Sequence, residues 1–234
     1  MNLRKPECVA IEVRAFMESQ LSAPHAASRH PWWLLAGFWI CVVIAIAVVI
    51  RRMVALTQPA SADTTPFAAV NATFSSHAAL TMAHIIPAAM FVLLAVGALF
   101  RLSSSRWLQR LFFTFGAITG ITAFAMNRYA IGGWIERSAV LVFNTWFLVS
   151  LGRAFWFYLQ NDGTKQRQWT TRAVGILLGI ATTRPVMGVF FATSPLTHLS
   201  PQQFFGIAFW IGFSVNVVVI ELWLRSRRSY VSPS

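Results

Sequence analysis

The sequence predicts an all-α integral membrane protein, a helical bundle with six transmembrane helices and both termini in the cytoplasm. Three observations lead to this fold class. The chain is 56% hydrophobic and 11% charged, with a mean hydropathy of +0.60, whereas about a quarter of the residues in a soluble domain are charged. Its 10 Trp and 20 Phe residues suit interfacial and lipid-facing surfaces. Finally, six apolar runs are long enough to cross a hydrocarbon core of about 30 Å.

The six runs are continuous apolar stretches rather than alternating ones, which favours helices over the strands of a barrel. They are Trp33–Ile50, Ala79–Phe100, Leu111–Ala130, Ser138–Phe157, Ala173–Phe191 and Phe204–Leu224. Together they define a six-helix transmembrane domain over residues 32–224. Most connections are short, so we expect sequential helices to be antiparallel neighbours.

The segments outside the runs carry separate expectations. Residues 1–31 are predicted to be a cytoplasmic N-terminal segment, in which residues 8–21 place apolar side chains on one helical face. An amphipathic surface helix and a frayed tail are equally good interpretations of that pattern. Residues 51–78, rich in Thr, Ser, Pro and Ala, are predicted to form a flexible outer loop. Residues 225–234 are predicted to be a short basic cytoplasmic tail.

The first run also resembles a secretory signal, because Ala60-Ser61-Ala62 has the pattern of a cleavage site. Its 18 residues exceed the usual signal core of about 7–15, and two arginines follow it. We therefore interpret the run as an uncleaved membrane anchor. Cys8 precedes it and Cys41 lies inside it, so the two thiols would face different media and a disulfide between them is excluded.

Lysine and arginine residues predict the orientation. With the N-terminus inside, 14 of the 19 basic residues fall on the cytoplasmic side, and Arg51 and Arg52 are the main exceptions. This bias favours both termini inside and a multi-pass protein of the cytoplasmic (inner) membrane. The net charge of +12 comes from cations at the ends of apolar runs. Such a distribution favours anionic lipid headgroups as partners, rather than nucleic acid.

Polar residues inside the runs are the candidates for a binding site, because such groups are costly at membrane depth. The candidate ligand-binding residues are His84, Asn127, Arg128, Asn144 and Arg184, which lie toward the outer ends of four runs. Arg184 cannot lose its proton, so it needs an anion, a set of carbonyls or water as a partner. We expect these side chains to line a recess for a small anion, a lipid headgroup or a quinone.

Two prolines lie beside the candidate residues. Pro87 follows His84 within one turn and Pro185 directly follows Arg184, and each removes a helical hydrogen bond and favours a kink. Arg184 is seven residues from the end of its run at Phe191, roughly 10 Å along a helix. The alternatives are that Arg184 snorkels to the interface or braces carbonyls at the kinks, and that His84 is an ordinary interhelical residue.

The sequence contains no motif for catalysis. It lacks G-x-S-x-G, P-loop and H-E-x-x-H patterns, and its seven acidic residues offer no paired carboxylates within the runs. No catalytic or metal-binding residue is therefore predicted. Haem would need a second axial ligand besides His84, and His77 and His198 occur only in predicted outer loops without a haem motif.

Other small and polar residues suggest helix packing. They are Gly116, Gly120, Gly175, Gly179, Asn216 and Glu221. The glycines form two G-x-x-x-G segments, for which packing within the chain is favoured over a homodimer contact. The asparagine is near mid-membrane, where an interhelical hydrogen bond is the default. Glu221 is one turn from Arg225, which predicts an ion pair within the same helix.

Several short motifs occur in an order that resembles one known family. They are His84-Ile85-Ile86-Pro87, Arg106-Trp107-Leu108-Gln109-Arg110, Gly132-Gly133, Trp169 with Arg172, Arg184, and Trp210 with Asn216 and Glu221. Over residues 77–224 the chain resembles bacterial predicted multispanning membrane proteins catalogued as domain of unknown function 2306. The resemblance implies a bacterial membrane location and no established activity. Ser105 and Gln166 stand where that family has histidines, and Gln109 replaces a glycine.

Three functions from different classes agree with the sequence. The first is noncatalytic binding or transport of a small anionic or amphiphilic ligand in the outer-leaflet recess. The second is a redox membrane protein associated with haem or quinone. The third is a structural or assembly partner of another membrane protein, in which the polar residues only pack helices. We rank them in this order.

Overall fold

The computed structural model describes residues 31–57, 72, 74–100 and 105–229. No strand occurs in this part of the chain, which confirms the all-α prediction. The predicted amphipathic segment, Cys8, the motif at 60–62 and the end of the basic tail lie outside the described residues. The chain divides into two compact units, 1–37 and 38–234. Of the first unit the structure describes residues 31–37, which include the first residues of a helix.

The bundle is built from long helices. They are α1 (Trp32–Thr57), α2 (Ala78–Phe100), α3 (Arg106–Met126), α4 (Gly133–Leu159), α5 (Gly163–Leu177), α6 (Gly179–Thr197) and α7 (Pro201–Ser229). Helices α5 and α6 together form one span, so the described residues contain six segments long and apolar enough to cross a membrane. This confirms the predicted number of spans.

Large apolar side chains cover the outer surface of these segments. Trp134 is 74% exposed, Ile121 64% and Val189 63%. A soluble monomer rarely exposes contiguous apolar surface on this scale, whereas acyl chains solvate it well. The exposed surface is therefore that of a multi-pass membrane protein.

Several helices extend beyond the apolar runs that predicted them. Helix α1 continues past Ile50 to Thr57, which places Arg51 and Arg52 in a helix rather than in the predicted loop. Helix α7 likewise continues past Leu224 to Ser229. Arg, Lys and Gln are good helix formers, so a helix does not end where its apolar residues end. Apolar runs locate the membrane-spanning part of a helix but not its termini.

A side-chain cap fixes the beginning of α5. Asp162 Oδ1 accepts a hydrogen bond from the Lys165 backbone N–H at 3.0 Å, and Lys165 Nζ lies 3.0 Å from Oδ2. The backbone hydrogen bond, with the side-chain contact to Lys165, lowers the pKa of the exposed Asp162 carboxyl. A lowered pKa means that the cap contributes fully above the ordinary Asp pKa and is lost as the pH falls through the lowered value.

Aromatic side chains fill the centre of the bundle. Phe91 of α2 is fully buried and stacks on Phe112 of α3, with ring centroids 4.5 Å apart. It also meets Phe147 of α4 edge-on at 5.5 Å. Phe143 of α4 stacks on Phe213 of α7 at 5.2 Å. Aromatic pairs of this kind add about 0.5–1.5 kcal/mol beyond their buried area, so they join α2, α3, α4 and α7 into one core.

The span formed by α5 and α6 is broken at Leu178. No pattern in the sequence predicts this break. Pro87 and Pro185, where kinks are predicted, both lie inside helices. Gly175 and Gly179 flank the break. Glycine is a poor helix former, so an interruption costs little here, although Leu178 itself keeps right-handed helical angles, φ −65° and ψ −10°.

Asn216 of α7 bridges the two sides of this break. Its Nδ2 donates to the Gly175 carbonyl of α5 at 3.0 Å. Its Oδ1 accepts from the Thr182 hydroxyl of α6 at 2.7 Å. Carbonyls at the end of a helix lack helical partners, and the amide supplies one. Asn216 therefore makes interhelical hydrogen bonds, at the position where the backbone most needs them.

Glu221 forms an interhelical ion pair that the sequence analysis did not indicate. Arg172 of α5 donates to its two carboxylate oxygens, from Nε at 2.5 Å and from Nη2 at 3.1 Å. The Arg172 guanidinium also lies over the Trp169 ring, 4.6 Å from its centroid. The predicted partner was Arg225 on the same helix. Local spacing favours that residue, but Arg172 reaches the carboxylate across the α5–α7 interface.

The four predicted packing glycines lie at helix interfaces within the chain. The side chains opposite them are Phe91 and Leu151 for Gly116, Leu148 for Gly120, Ile220 for Gly175 and Phe213 for Gly179. These contacts join α2 to α3, α3 to α4, and α7 to α5 and α6. Close packing of the helices therefore occupies the glycine surfaces that a homodimer would need.

Three glycines outside the G-x-x-x-G segments pack directly against the backbone of another segment. A β-carbon on Gly132 would be 2.7 Å from the amide nitrogen of Gly206, and one on Gly206 would be 2.7 Å from that of Glu136. A β-carbon on Gly212 would be 2.7 Å from the amide nitrogen of Thr183. A side chain can rotate away from such a contact, but backbone cannot. These positions are the strictest packing contacts among the glycines described.

Candidate functional site

A cavity of about 260 Å³ lies inside the bundle, in the half that contains the α3–α4 connection. Residues of all seven helices line it. Its ionisable arginine, histidine and glutamate residues and its amides are Arg52, His77, His84, Asn127, Glu136, Asn144 and Arg184. Four of the five predicted ligand-binding residues therefore lie together around one cavity.

Arg128 is the exception, and its prediction as a cavity residue is wrong. Its side chain is exposed and does not line the cavity. It lies in a 3₁₀ turn, Asn127–Tyr129, where its carbonyl accepts a hydrogen bond from Arg137 Nη2 at 3.0 Å. Neighbouring residues in a helical turn point in different directions, so Asn127 faces the cavity and Arg128 does not.

Arg184 is the buried cation of the cavity. Its Nε is buried and has no hydrogen-bond partner among the described residues. Its Nη1 contacts the thioether of Met187 at 3.9 Å, and a thioether is a weak acceptor. A guanidinium carries five N–H donors. Arg184 thus lies in the cavity with most of its hydrogen-bonding capacity unmet by the described residues.

Glu136 of α4 is the carboxylate of the cavity. Its Oε2 accepts a hydrogen bond from the Gly132 backbone N–H at 2.6 Å, which closes the first turn of α4. No ion pair within 4 Å joins it to Arg184 in the described part of the chain. Glu136 therefore lowers the positive charge of the cavity at a distance, while its oxygen caps the helix.

Arg52 of α1 is a second cation in the cavity lining. Its guanidinium carbon lies 4.2 Å from the centroid of the Phe74 ring. Arg52 is not among the residues predicted for the site, although its predicted position on the outer side of a span is unusual for an arginine. Arg51 and Arg52 were the main exceptions to the charge bias that predicts orientation. An arginine that violates this bias next to a span is a candidate for a role inside the bundle.

His84 makes an interhelical hydrogen bond at the cavity wall. Its Nδ1 is 3.0 Å from the Thr122 hydroxyl, which itself donates to the Ile118 carbonyl at 2.7 Å. Because that hydroxyl proton is directed at the Ile118 carbonyl, the hydrogen bond to Thr122 is satisfied when Nδ1 donates. His84 is thus an interhelical residue and a cavity residue at once.

Two asparagines complete the polar lining. Asn144 Nδ2 donates to the Gly120 carbonyl at 2.9 Å, which ties α4 to α3. Asn127 Nδ2 donates to the Arg137 carbonyl at 3.3 Å. The Asn127 Oδ1 is buried without a partner among the described residues. These amides are held by backbone groups, so they give the cavity a fixed polar edge.

The rest of the cavity wall is mostly apolar and rich in aromatic side chains. The phenylalanines that line it are Phe74, Phe143, Phe147, Phe205, Phe209 and Phe213. An apolar wall with a few convergent polar groups is the usual composition of a small-molecule site. The volume is just below the range of about 300–1,000 Å³ typical of such sites, which matches a small ligand.

The histidines do not favour a haem site. His77 and His84 both line the cavity. They are only seven residues apart in the sequence, which corresponds to about two turns of a helix. Two axial ligands must approach an iron from opposite faces, and the described lining offers no histidine from a helix that faces α2. No group of three or more His, Cys, Asp or Glu residues able to hold a metal ion occurs among the described residues.

No family model, curated protein or solved structure matches this chain. The fold and the site define the class of protein by themselves: a multi-pass membrane protein with a charged internal cavity. The resemblance to the family of domain of unknown function 2306 stays a prediction. Gln109 and Gln166, two positions that depart from that family's pattern, hydrogen-bond to each other at 3.2 Å.

Proposed function

We propose that this protein binds a small anionic or amphiphilic ligand in the cavity, with Arg184 as the group that recognises the negatively charged or acceptor-rich end. One observation carries the proposal: the buried Nε of Arg184 has no hydrogen-bond partner among the described residues. An unpaired charge at membrane depth is costly, by about 2.5–3.5 kcal/mol on insertion scales. A ligand that supplies acceptor oxygens offsets this cost.

The charge balance of the cavity supports the same proposal. Two guanidinium groups, Arg52 and Arg184, and one carboxylate, Glu136, line it. Two cations against one anion leave the described lining with a positive excess. The alternatives for Arg184 are less well supported, because its Nε meets no carbonyl that it would brace.

Ligand-dependent stability tests the proposal. We expect decanoate at 100 times its Kd to stabilise the purified protein by about 2.7 kcal/mol, whereas decanol, with the same chain but no charge, stabilises it far less. In Arg184→Gln the decanoate effect disappears. Thermal unfolding in a mild detergent measures both variants with and without each compound.

The matched control is Arg128→Gln, which removes an exposed arginine outside the cavity and keeps the decanoate effect. The unliganded Arg184→Gln protein is expected to be as stable as the parent or more so, since it removes an unpaired charge. A large loss of stability without ligand, or equal stabilisation of both proteins by decanoate, contradicts a binding role for Arg184.

We further propose that the protein is a member of the 2306 family and lies in a bacterial inner membrane with both termini in the cytoplasm. The distribution of 14 and 5 basic residues supports this orientation, and six spans put both termini on one side. The cavity then opens within the outer leaflet.

Cysteine labelling in intact cells checks the orientation. In a background with Cys8→Ser and Cys41→Ser, Ser61→Cys is expected to react with a membrane-impermeant maleimide that reaches the periplasm. Ser232→Cys is expected to react only after the cells are lysed. The opposite labelling pattern would overturn the orientation and would place the cavity toward the cytoplasm.

A further inference from the structure

Helix α1 forms one wall of the cavity but is packed least tightly of the spans. Among the residues of α1 whose side chains the structure describes, Val42 is the one buried residue. By contrast, α5 and α6 bury residues along much of their length. Ile46, Val49 and Arg52 of α1 nevertheless line the cavity. The wall between the cavity and the surrounding lipid is therefore thin at α1.

The contacts that hold this wall bury few of its residues. Cys41 Sγ lies 3.7 Å from the Thr182 hydroxyl of α6, a weak contact because sulfur is a poor hydrogen-bonding partner. The Arg52 guanidinium lies over the ring of Phe74. Val42 is buried in the core, and the partly buried Phe38, Cys41 and Ile46 pack against it. Displacing α1 costs little burial, whereas the other helices of the lining are held by aromatic pairs, by close approaches at glycine or by the Arg172–Glu221 ion pair.

The composition of the cavity points to a ligand with two different ends. Arg184 offers a charged donor at one place, and Phe143, Phe147, Phe209 and Phe213 form an apolar wall. A small hydrated anion gains nothing from such a wall. A ligand with an acidic head and one hydrocarbon chain uses both parts. At about 260 Å³ the cavity is just below the range typical of small-molecule sites, which suits one hydrocarbon chain better than two.

We propose that the ligand is a single-chain acidic amphiphile dissolved in the bilayer, and that it enters the cavity laterally past α1. This inference rests on the proposed binding function and adds the ligand class and the entry route. Lateral entry spares the apolar chain a passage through water. The acidic head then meets Arg184, while the chain contacts the phenylalanines.

The rate of association tests the route. The protein is reconstituted in phosphatidylcholine vesicles, and a terminally brominated decanoate is added, which quenches tryptophan fluorescence. Trp210 reports on the cavity, because its ring is 5.3 Å from that of the lining residue Phe143. Quenching of lipid-facing tryptophans is removed by subtracting the signal of Arg184→Gln.

Two variants change how firmly α1 is held, in opposite directions. Cys8→Ser with Thr182→Cys places a thiol beside Cys41, and the resulting disulfide holds α1 against α6. We expect association to be at least tenfold slower in the oxidised form and to recover on reduction. Val42→Ala loosens α1 and is expected to speed association several-fold, whereas Val43→Ala, at a 64% exposed position, leaves the rate unchanged.

Equal rates in the oxidised and reduced proteins, together with no effect of Val42→Ala, would overturn the lateral route while leaving ligand binding intact. If the reduced protein shows no quenching beyond that of Arg184→Gln, the binding function itself fails. The two failures are therefore distinguishable.

Discussion

Glu221→Gln is expected to lower the free energy of unfolding by about 3 kcal/mol, because removing one partner of a buried ion pair typically costs about 3–5 kcal/mol. The substitution leaves the cation of Arg172, which is 8% exposed, without its counterion. We expect the lower end of the range because the Glu221 side chain is 23% exposed. Titration with SDS in mixed micelles, followed by circular dichroism, measures the change.

A double-mutant cycle of Arg172→Met, Glu221→Met and the two together separates the pair from the single side chains. Arg172→Met with Glu221→Met removes both charges and is expected to be more stable than Glu221→Gln alone, since no charge is left unpaired. If Glu221→Gln unfolds within about 0.5 kcal/mol of the parent, the ion pair contributes no more than an exposed surface pair does.

Gly206→Ala is expected to destabilise the protein by about 3 kcal/mol or to prevent folding, at or above the upper end of the overpacking range. The new methyl group would lie 2.7 Å from both the Glu136 amide nitrogen and the Ile135 β-carbon. Relief requires α4 and α7 to separate, which also disturbs the Phe143–Phe213 stacking. The same SDS titration, with the yield of folded protein, measures this effect.

Gly152→Ala is the matched control. A β-carbon there meets nothing within 4 Å, and alanine is the better helix former by about 1 kcal/mol. We expect this variant to be as stable as the parent or more so. Should the two substitutions have equal effects, the close approach of α4 and α7 at Gly206 is not a packing constraint.

Much of the fold could be predicted from the sequence, because the bilayer imposes one strong requirement. An apolar run of sufficient length must satisfy its backbone within a helix, so hydropathy alone located the six spans. The break at Leu178 could not be predicted, since it depends on Asn216, a residue of another helix that supplies a competing donor. The prolines at 87 and 185 lie inside helices, so the interruption at Leu178 is not one that proline positions indicate.

The candidate site was predicted less completely. Depth within a span identified His84, Asn144 and Arg184, because polar groups there usually face the protein interior. Depth does not tell which way a residue at a helix end points, so Arg128 was included although it is exposed. Arg52 was left out because the apolar run ended before it, whereas the helix continues.

The packing glycines are likewise predicted only in part. The G-x-x-x-G spacing identified glycines that meet side chains, such as Gly120 against Leu148. It did not identify Gly206 or Gly212, where two backbones meet. Spacing along one helix describes one surface, and a backbone contact depends on the surface that a second helix brings to it.

The break between α5 and α6 can be compared with the discontinuous helices of membrane transporters. In secondary transporters with discontinuous helices, unwound carbonyls coordinate sodium ions or protons that drive uptake. Here the Gly175 carbonyl is engaged by the amide of Asn216, a permanent substitute for such an ion. At the Gly175 carbonyl, the Asn216 amide thus occupies the place that a coordinated ion takes in such transporters.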